Sequence, residues 1–148
     1  MKFKRKHIFT ILGVVLLLIQ FVRIDKTNPP IDLDSDFIVS VNTPTNIALN
    51  IKEACYDCHS HATKYPWYTS VAPVSWWVKG HINGGREHLN FSAWNTYSQD
   101  KKDHKIEECI EVMEKGWMPL ASYTWMHPEA KLTDLEHEEM ISYFKSLR

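Results

Sequence analysis

Five consecutive residues, Cys55-Tyr56-Asp57-Cys58-His59, limit what this chain can fold into more than any other feature. Two thiols three residues apart lie on one helical turn, and the residue after the second carries an imidazole. This C-x-x-C-H spacing is that of c-type haem attachment. Each thiol can form a thioether to one of two vinyl groups, and His59 then lies under the iron as proximal ligand. The preceding stretch, Asn46 to Ala54, has apolar residues at helical spacing, and Thr45 or Asn46 can cap its start. The motif is therefore expected at the end of a short helix, with Cys55 and Cys58 as covalent anchors of one haem c.

Other chemistries of paired cysteines fit less well. A thioredoxin-like C-x-x-C follows a strand in a βαβ setting, and no such setting is visible. A structural zinc site needs a second ligand pair; Cys109 is a lone thiol, and His59-Ser60-His61 is too cramped to complete a tetrahedron. A Cys55–Cys58 disulfide would be strained and would leave His59 without a role. His61 is too close to His59 to reach the opposite haem face and reads as a rim residue, and Cys109 reads as a small buried apolar residue on its helix.

The chain has 148 residues, a one-domain length. Six Trp, six Tyr and six Phe suit a small core that packs on a flat apolar cofactor. Residues 1–23 hold five basic residues and no acid, whereas the remainder holds 12 basic against 18 acidic residues, a net of −6. An acidic body argues against nucleic-acid binding and suits docking to a redox partner protein of basic surface, itself unidentified.

The basic head is followed by an apolar run from Ile8 to Val22, broken by Thr10, Gly13 and Gln20. No small-x-small cleavage site follows, so the run reads as an uncleaved signal anchor rather than a removed peptide. Basic residues before the run keep the N-terminus cytoplasmic. The expectation is a single-pass protein of a bacterial inner membrane, held through its N-terminal helix, with the C-terminal domain in the periplasm. The layout is then a signal-anchor helix at 1–24, an extended linker at 25–44 with little to offer a core, and a haem-binding domain at 45–148.

The second axial position decides what a haem does. Lys101 to Lys115 reads as an amphipathic helix with Ile106, Cys109, Ile110 and Met113 on one face, ended by Gly116. Trp117-Met118-Pro119-Leu120 opens a loop, and a last helix runs from Thr133 to about Leu147. Thr133 and Glu136 form its capping box, and Leu135, Met140, Ile141, Phe144 and Leu147 its apolar stripe. A loop methionine before the last helix is where small monohaem cytochromes c place their distal ligand, so Met118 is the leading candidate. His127 is the main rival; His81, His88 or an open position remain alternatives. Met113 and Met140, on helix faces, read as core.

The chain resembles the small bacterial haem-binding domain family of membrane-anchored C-x-x-C-H proteins over about residues 45–147. The residues that carry the resemblance are Ala54 to Ser60, Tyr65 to Tyr68, Pro73 to Trp77, Gly85-Arg86-Glu87, Leu89 to Ser92, Met118-Pro119-Leu120, and Tyr123-Thr124 with His127. It implies haem binding, and it supports Met118 and His127 alike. Within these blocks a carbonyl near Pro66 or Pro73 can fix the free ring nitrogen of His59. Arg86 is a candidate propionate partner or a solvated helix residue. Gly80, Gly84 and Gly85 suggest close backbone approach, and Trp76, Trp77 and Trp94 read as core or pocket aromatics.

The expected fold is all-α, three to five helices around one covalent haem and cytochrome c-like in its haem-bearing half. The expected role is a single-electron carrier rather than an enzyme; the alternative is a haem-based sensor or peroxidase-like enzyme with a weak or open distal ligand.

Overall fold

In the computed structural model, which describes residues 5–148, the regular structure is all helical. The α-helices among the described residues are α1 (Arg5–Leu18), α2 (Phe37–Ser40), α3 (Thr45–Ala54), α4 (Tyr56–His59), α5 (Val74–His88), α6 (Gln99–Glu114), α7 (Ala121–Met126) and α8 (Asp134–Ser146). Short 3-10 turns lie between several of them. The all-α expectation is met.

The long helices form where local rules place them. In α6 the four residues of the expected stripe, Ile106, Cys109, Ile110 and Met113, are all buried. Gly116, with φ of 64°, takes the left-handed conformation that ends the helix. In α8 the Thr133 side chain accepts from Glu136 N–H while the Glu136 carboxylate accepts from Thr133 N–H, a complete capping box. These two helices pack on each other, and α3 packs on α8. Met140 and Phe144 close the core from α8, each fully buried side chain of this kind contributing about 1.5–3 kcal/mol. Leu135, expected in the same stripe, is instead 66 % exposed. Helix α3 starts one residue earlier than Asn46, behind Pro44, and has no side-chain cap.

Residues 25–44, expected to be a linker with little to give a core, carry its most enclosed aromatic. Asp36 caps α2, and Phe37 is fully buried against Phe91 (5.1 Å between ring centroids) and Trp94 (4.9 Å, edge-on). Trp94 is buried as expected; Trp76 and Trp77 are not, at 38 % and 52 % exposure.

The N-terminal helix departs furthest from expectation. No described helix is long and apolar enough to cross a membrane. Helix α1 has 14 residues and so reaches about 21 Å at 1.5 Å per residue, short of the roughly 30 Å of a bilayer core. The apolar run continues to Val22, but the helix does not. It tightens into a 3-10 turn at Ile19–Phe21, after which the chain is fastened to the domain. The Gln20 amide donates to Ala72 O and accepts from Ala72 N–H, both at 2.9 Å, and Trp76 Nε1–H donates to Val22 O. The expected single-pass anchor, and with it the placement in a bacterial inner membrane with a periplasmic domain, is therefore not what this segment builds. Lys2 and Lys4 of the basic head lie outside the described residues.

Candidate cofactor site

Helix α3 breaks at Cys55, whose φ and ψ of −127° and −36° leave the helical region, and the chain restarts as the single turn α4. Cys58 N–H and His59 N–H both donate to Cys55 O, at 3.2 and 2.9 Å, so one turn presents both thiols and the imidazole. The non-motif residues anchor this turn. Tyr56 is buried, stacks on Phe91 at 5.4 Å, and donates its hydroxyl to Asp36 Oδ1 at 2.9 Å. Ser60, fully buried, donates to Tyr56 O. Asp57 is buried too: its carboxylate accepts from Lys64 N–H (2.8 Å) and the Tyr123 hydroxyl (2.9 Å), and its carbonyl accepts from the Thr63 hydroxyl.

His59 is held by α5. Its Nδ1 lies 3.0 Å from Gly85 O and 3.1 Å from Leu89 O. Both neighbours are carbonyl oxygens, which only accept, so Nδ1 carries the proton and Nε2 keeps its lone pair. The acceptors are thus Gly85 O in the last turn of α5 and Leu89 O just past its end, not a carbonyl near Pro66 or Pro73. Burial also lowers the His59 pKa from its ordinary value, which favours the neutral, ligating imidazole. A β-carbon on Gly85 would stand 2.6 Å from Cys58 O, so glycine is what lets α5 approach α4 closely enough. Gly80 and Gly84 meet no such neighbour.

Cys55 and Cys58 are half-buried free thiols. Burial pushes the Cys55 pKa up to about 12, and burial with the Asp57 charge pushes Cys58 up to about 11. Among the described residues no three His, Cys, Asp or Glu side chains converge as a metal site. A neutral imidazole with an unpaired Nε2 and two thiols one turn apart form a donor set that fits a haem.

Met118 is half-buried on the turn that follows α6, where Trp117 N–H and its own N–H both point to Val112 O. The rival His127 is engaged at both nitrogens. Nε2 is 2.6 Å from the Tyr68 hydroxyl, Nδ1 is 3.0 Å from Glu129 Oε1, and its ring stacks on Tyr123 at 4.3 Å. His81 is bound to Trp77 O, and His88 is exposed. Arg86 is neither solvated nor free. Nε donates to Ser60 O at 2.7 Å, and Nη2 donates to Asn28 Oδ1 and Thr63 Oγ1.

The structure thus gathers Cys55, Cys58 and His59 on one turn and sets Arg86 beside it. The loop bearing Met118 and His127 touches that turn through Tyr123. Tyr123, Tyr68, Asn28 and Asp36 were not singled out from the sequence as site residues. Their partners lie 20 to 70 residues away, and no local pattern announces them.

A family model described as a haem-binding domain matches residues 14–146. No curated protein and no solved structure matches the chain.

Proposed function

The chain belongs to the haem-binding domain family, and we propose that it carries one covalent haem c and serves as a single-electron carrier. When bound, the haem supplies a one-electron iron couple. In this reading Cys55 and Cys58 would hold the haem through thioethers to its two vinyl groups. His59 ligates through Nε2. The observation that carries the reading is the pair of carbonyls, Gly85 O and Leu89 O, that fixes the His59 tautomer and leaves Nε2 as the ring nitrogen with a free lone pair.

Met118 is assigned the distal position. Support comes from its pinned backbone after Gly116, and from the cost of freeing His127 from Tyr68, Glu129 and the Tyr123 ring. A thioether opposite an imidazole raises the reduction potential relative to two imidazoles, which suits an electron carrier. A redox partner protein is part of this proposal.

A second reading has its own support. The Tyr68–His127–Glu129 chain is a hydrogen-bonded pair of titratable rings ending at an exposed carboxylate, the sort of arrangement an acid–base enzyme uses. A peroxidase-like enzyme or sensor with a displaceable distal ligand would use it.

Absorption spectra of the full chain, produced together with haem-attachment machinery, separate these readings. The carrier reading expects haem that survives denaturation and is lost in Cys55→Ala/Cys58→Ala. It also expects a weak far-red iron–sulfur band that disappears in Met118→Ala. Ready carbon monoxide binding to the ferrous protein would favour the second reading. Haem that stays covalently attached to the double cysteine variant would sink both.

A further inference from the structure

Beyond the haem site, the segment after α1 encloses a separate cavity. Residues 20–28 run along the 3-10 turn Trp67–Ser70 and the start of α5, fastened at both ends. At one end the Gln20 amide pairs with both backbone groups of Ala72; at the other Lys26 Nζ donates to Ser70 Oγ at 2.6 Å. Between these fastenings lies a cavity of about 260 Å³, partly open to solvent.

Its charged lining is of one sign. Beside the apolar Val22, Ile24 and Ala72, Arg23 and Lys26 contribute two cations and Ser70 and Ser75 two hydroxyls, while the Thr69 hydroxyl donates to Pro66 O; no lining residue is a carboxylate. The nearest acid in sequence, Asp25, does not line the cavity; its carboxylate accepts from Thr27 N–H instead. Arg23 forms no salt bridge among the described residues, although the chain beyond residue 23 carries a net −6. Ser70 Oγ accepts a hydrogen bond from Lys26 Nζ, so its own O–H is free to donate. Lys26 keeps two further N–H donors. A concave site that offers a guanidinium, an ammonium and a hydroxyl donor, with acids kept out, matches a tetrahedral oxyanion.

We propose that this cavity binds a phosphate group, either free or borne by a lipid headgroup, through Arg23, Lys26 and Ser70. The proposal does not depend on the haem reading. Inorganic phosphate titrated calorimetrically into the full chain at low ionic strength should bind saturably. The Arg23→Gln/Lys26→Gln variant should bind roughly tenfold or more weakly, given the 1.5–3 kcal/mol typical of hydrogen bonds to charged groups. A control that removes the same charge from two exposed sites, Lys52→Gln/Lys131→Gln, should bind as the wild type does. Ser70→Ala keeps both cations and should weaken binding by itself, which guards against a misfolded double variant.

Sedimentation with phosphatidylcholine vesicles, with and without phosphatidic acid, distinguishes the sources. Binding that needs phosphatidic acid and is lost in Arg23→Gln/Lys26→Gln identifies the headgroup. Calorimetric binding with no such vesicle dependence identifies the free anion. Equal weakening by the control pair, or binding of neither probe by the wild type, overturns the site.

Discussion

The two sides of the proposed iron position are built in different ways. On the His59 side, the turn Tyr56–His59 is held from beneath by Tyr56 on Asp36 and Phe91, and from α5 by two carbonyls on one ring nitrogen. Gly85 leaves no slack there. On the other side, the segment from Trp117 to Pro128 is pinned at Val112 O and through Tyr123 and His127, while Trp117 and Trp125 stand 58 % and 81 % exposed. Under the proposed function, the difference teaches that attachment and tuning are separate structural problems. The turn proposed to anchor the haem has a rigid, buried frame, whereas the proposed sixth ligand sits on a loop with few fixed points.

Substitutions on the two sides should differ accordingly. Gly85→Ala places a β-carbon against the Cys58 carbonyl, and neither backbone can yield cheaply. A loss of about 1–3 kcal/mol, read by thermal unfolding, is expected together with reduced haem incorporation. An unchanged melting midpoint would show that the frame is looser than described. Tyr123→Phe cuts the link between the two sides and removes a hydroxyl donor from the buried Asp57 carboxylate. It should cost roughly 1–2 kcal/mol and lower haem retention, and full tolerance would mean that the sides are independent.

Thr133→Ala is the control for both, since the α8 capping box touches neither side. Its removal should cost about 1 kcal/mol and leave the haem spectrum unmoved. Capping also lowers the Glu136 pKa, through the Thr133 backbone and side chain. The cap's contribution is therefore present above the ordinary glutamate pKa and fades as pH falls through the lowered one. A spectral change in Thr133→Ala would blur the comparison. Met118→Ala should have the smallest effect on stability, below about 1 kcal/mol for a half-buried side chain, yet alter the distal ligation spectrum. His127→Ala should leave that spectrum intact; the reverse pattern would exchange the two assignments.

What could be read in the sequence follows the range of the interactions concerned. The α6 stripe, the Gly116 stop and the Thr133–Glu136 box all act within one or two turns, and periodicity and spacing display them. The C-x-x-C-H turn is equally local. Gly85 was visible as a glycine but not distinguishable from Gly80 and Gly84, because only the packed structure says which faces Cys58. Phe37 follows three aspartates, in a stretch whose composition suggests solvent; its burial depends on Phe91 and Trp94, more than fifty residues later. The apolar run of α1 gave the most misleading signal. Hydropathy sums side chains but is blind to where a helix stops, and α1 stops because Gln20 and Val22 find partners on Ala72 and Trp76.

The Arg86 clamp gives the N-terminal segment a mechanical meaning. Asn28 is gripped by Arg86 and donates to Thr63 O, while Arg86 grips the carbonyl of Ser60, the neighbour of His59. His61 adds a second rivet to the same segment, through Pro30 O. Tension applied to α1 therefore runs along residues 20–30 as along a cable and arrives one residue from His59. Whatever tugs on that helix has a lever on the turn that carries both thiols and the imidazole.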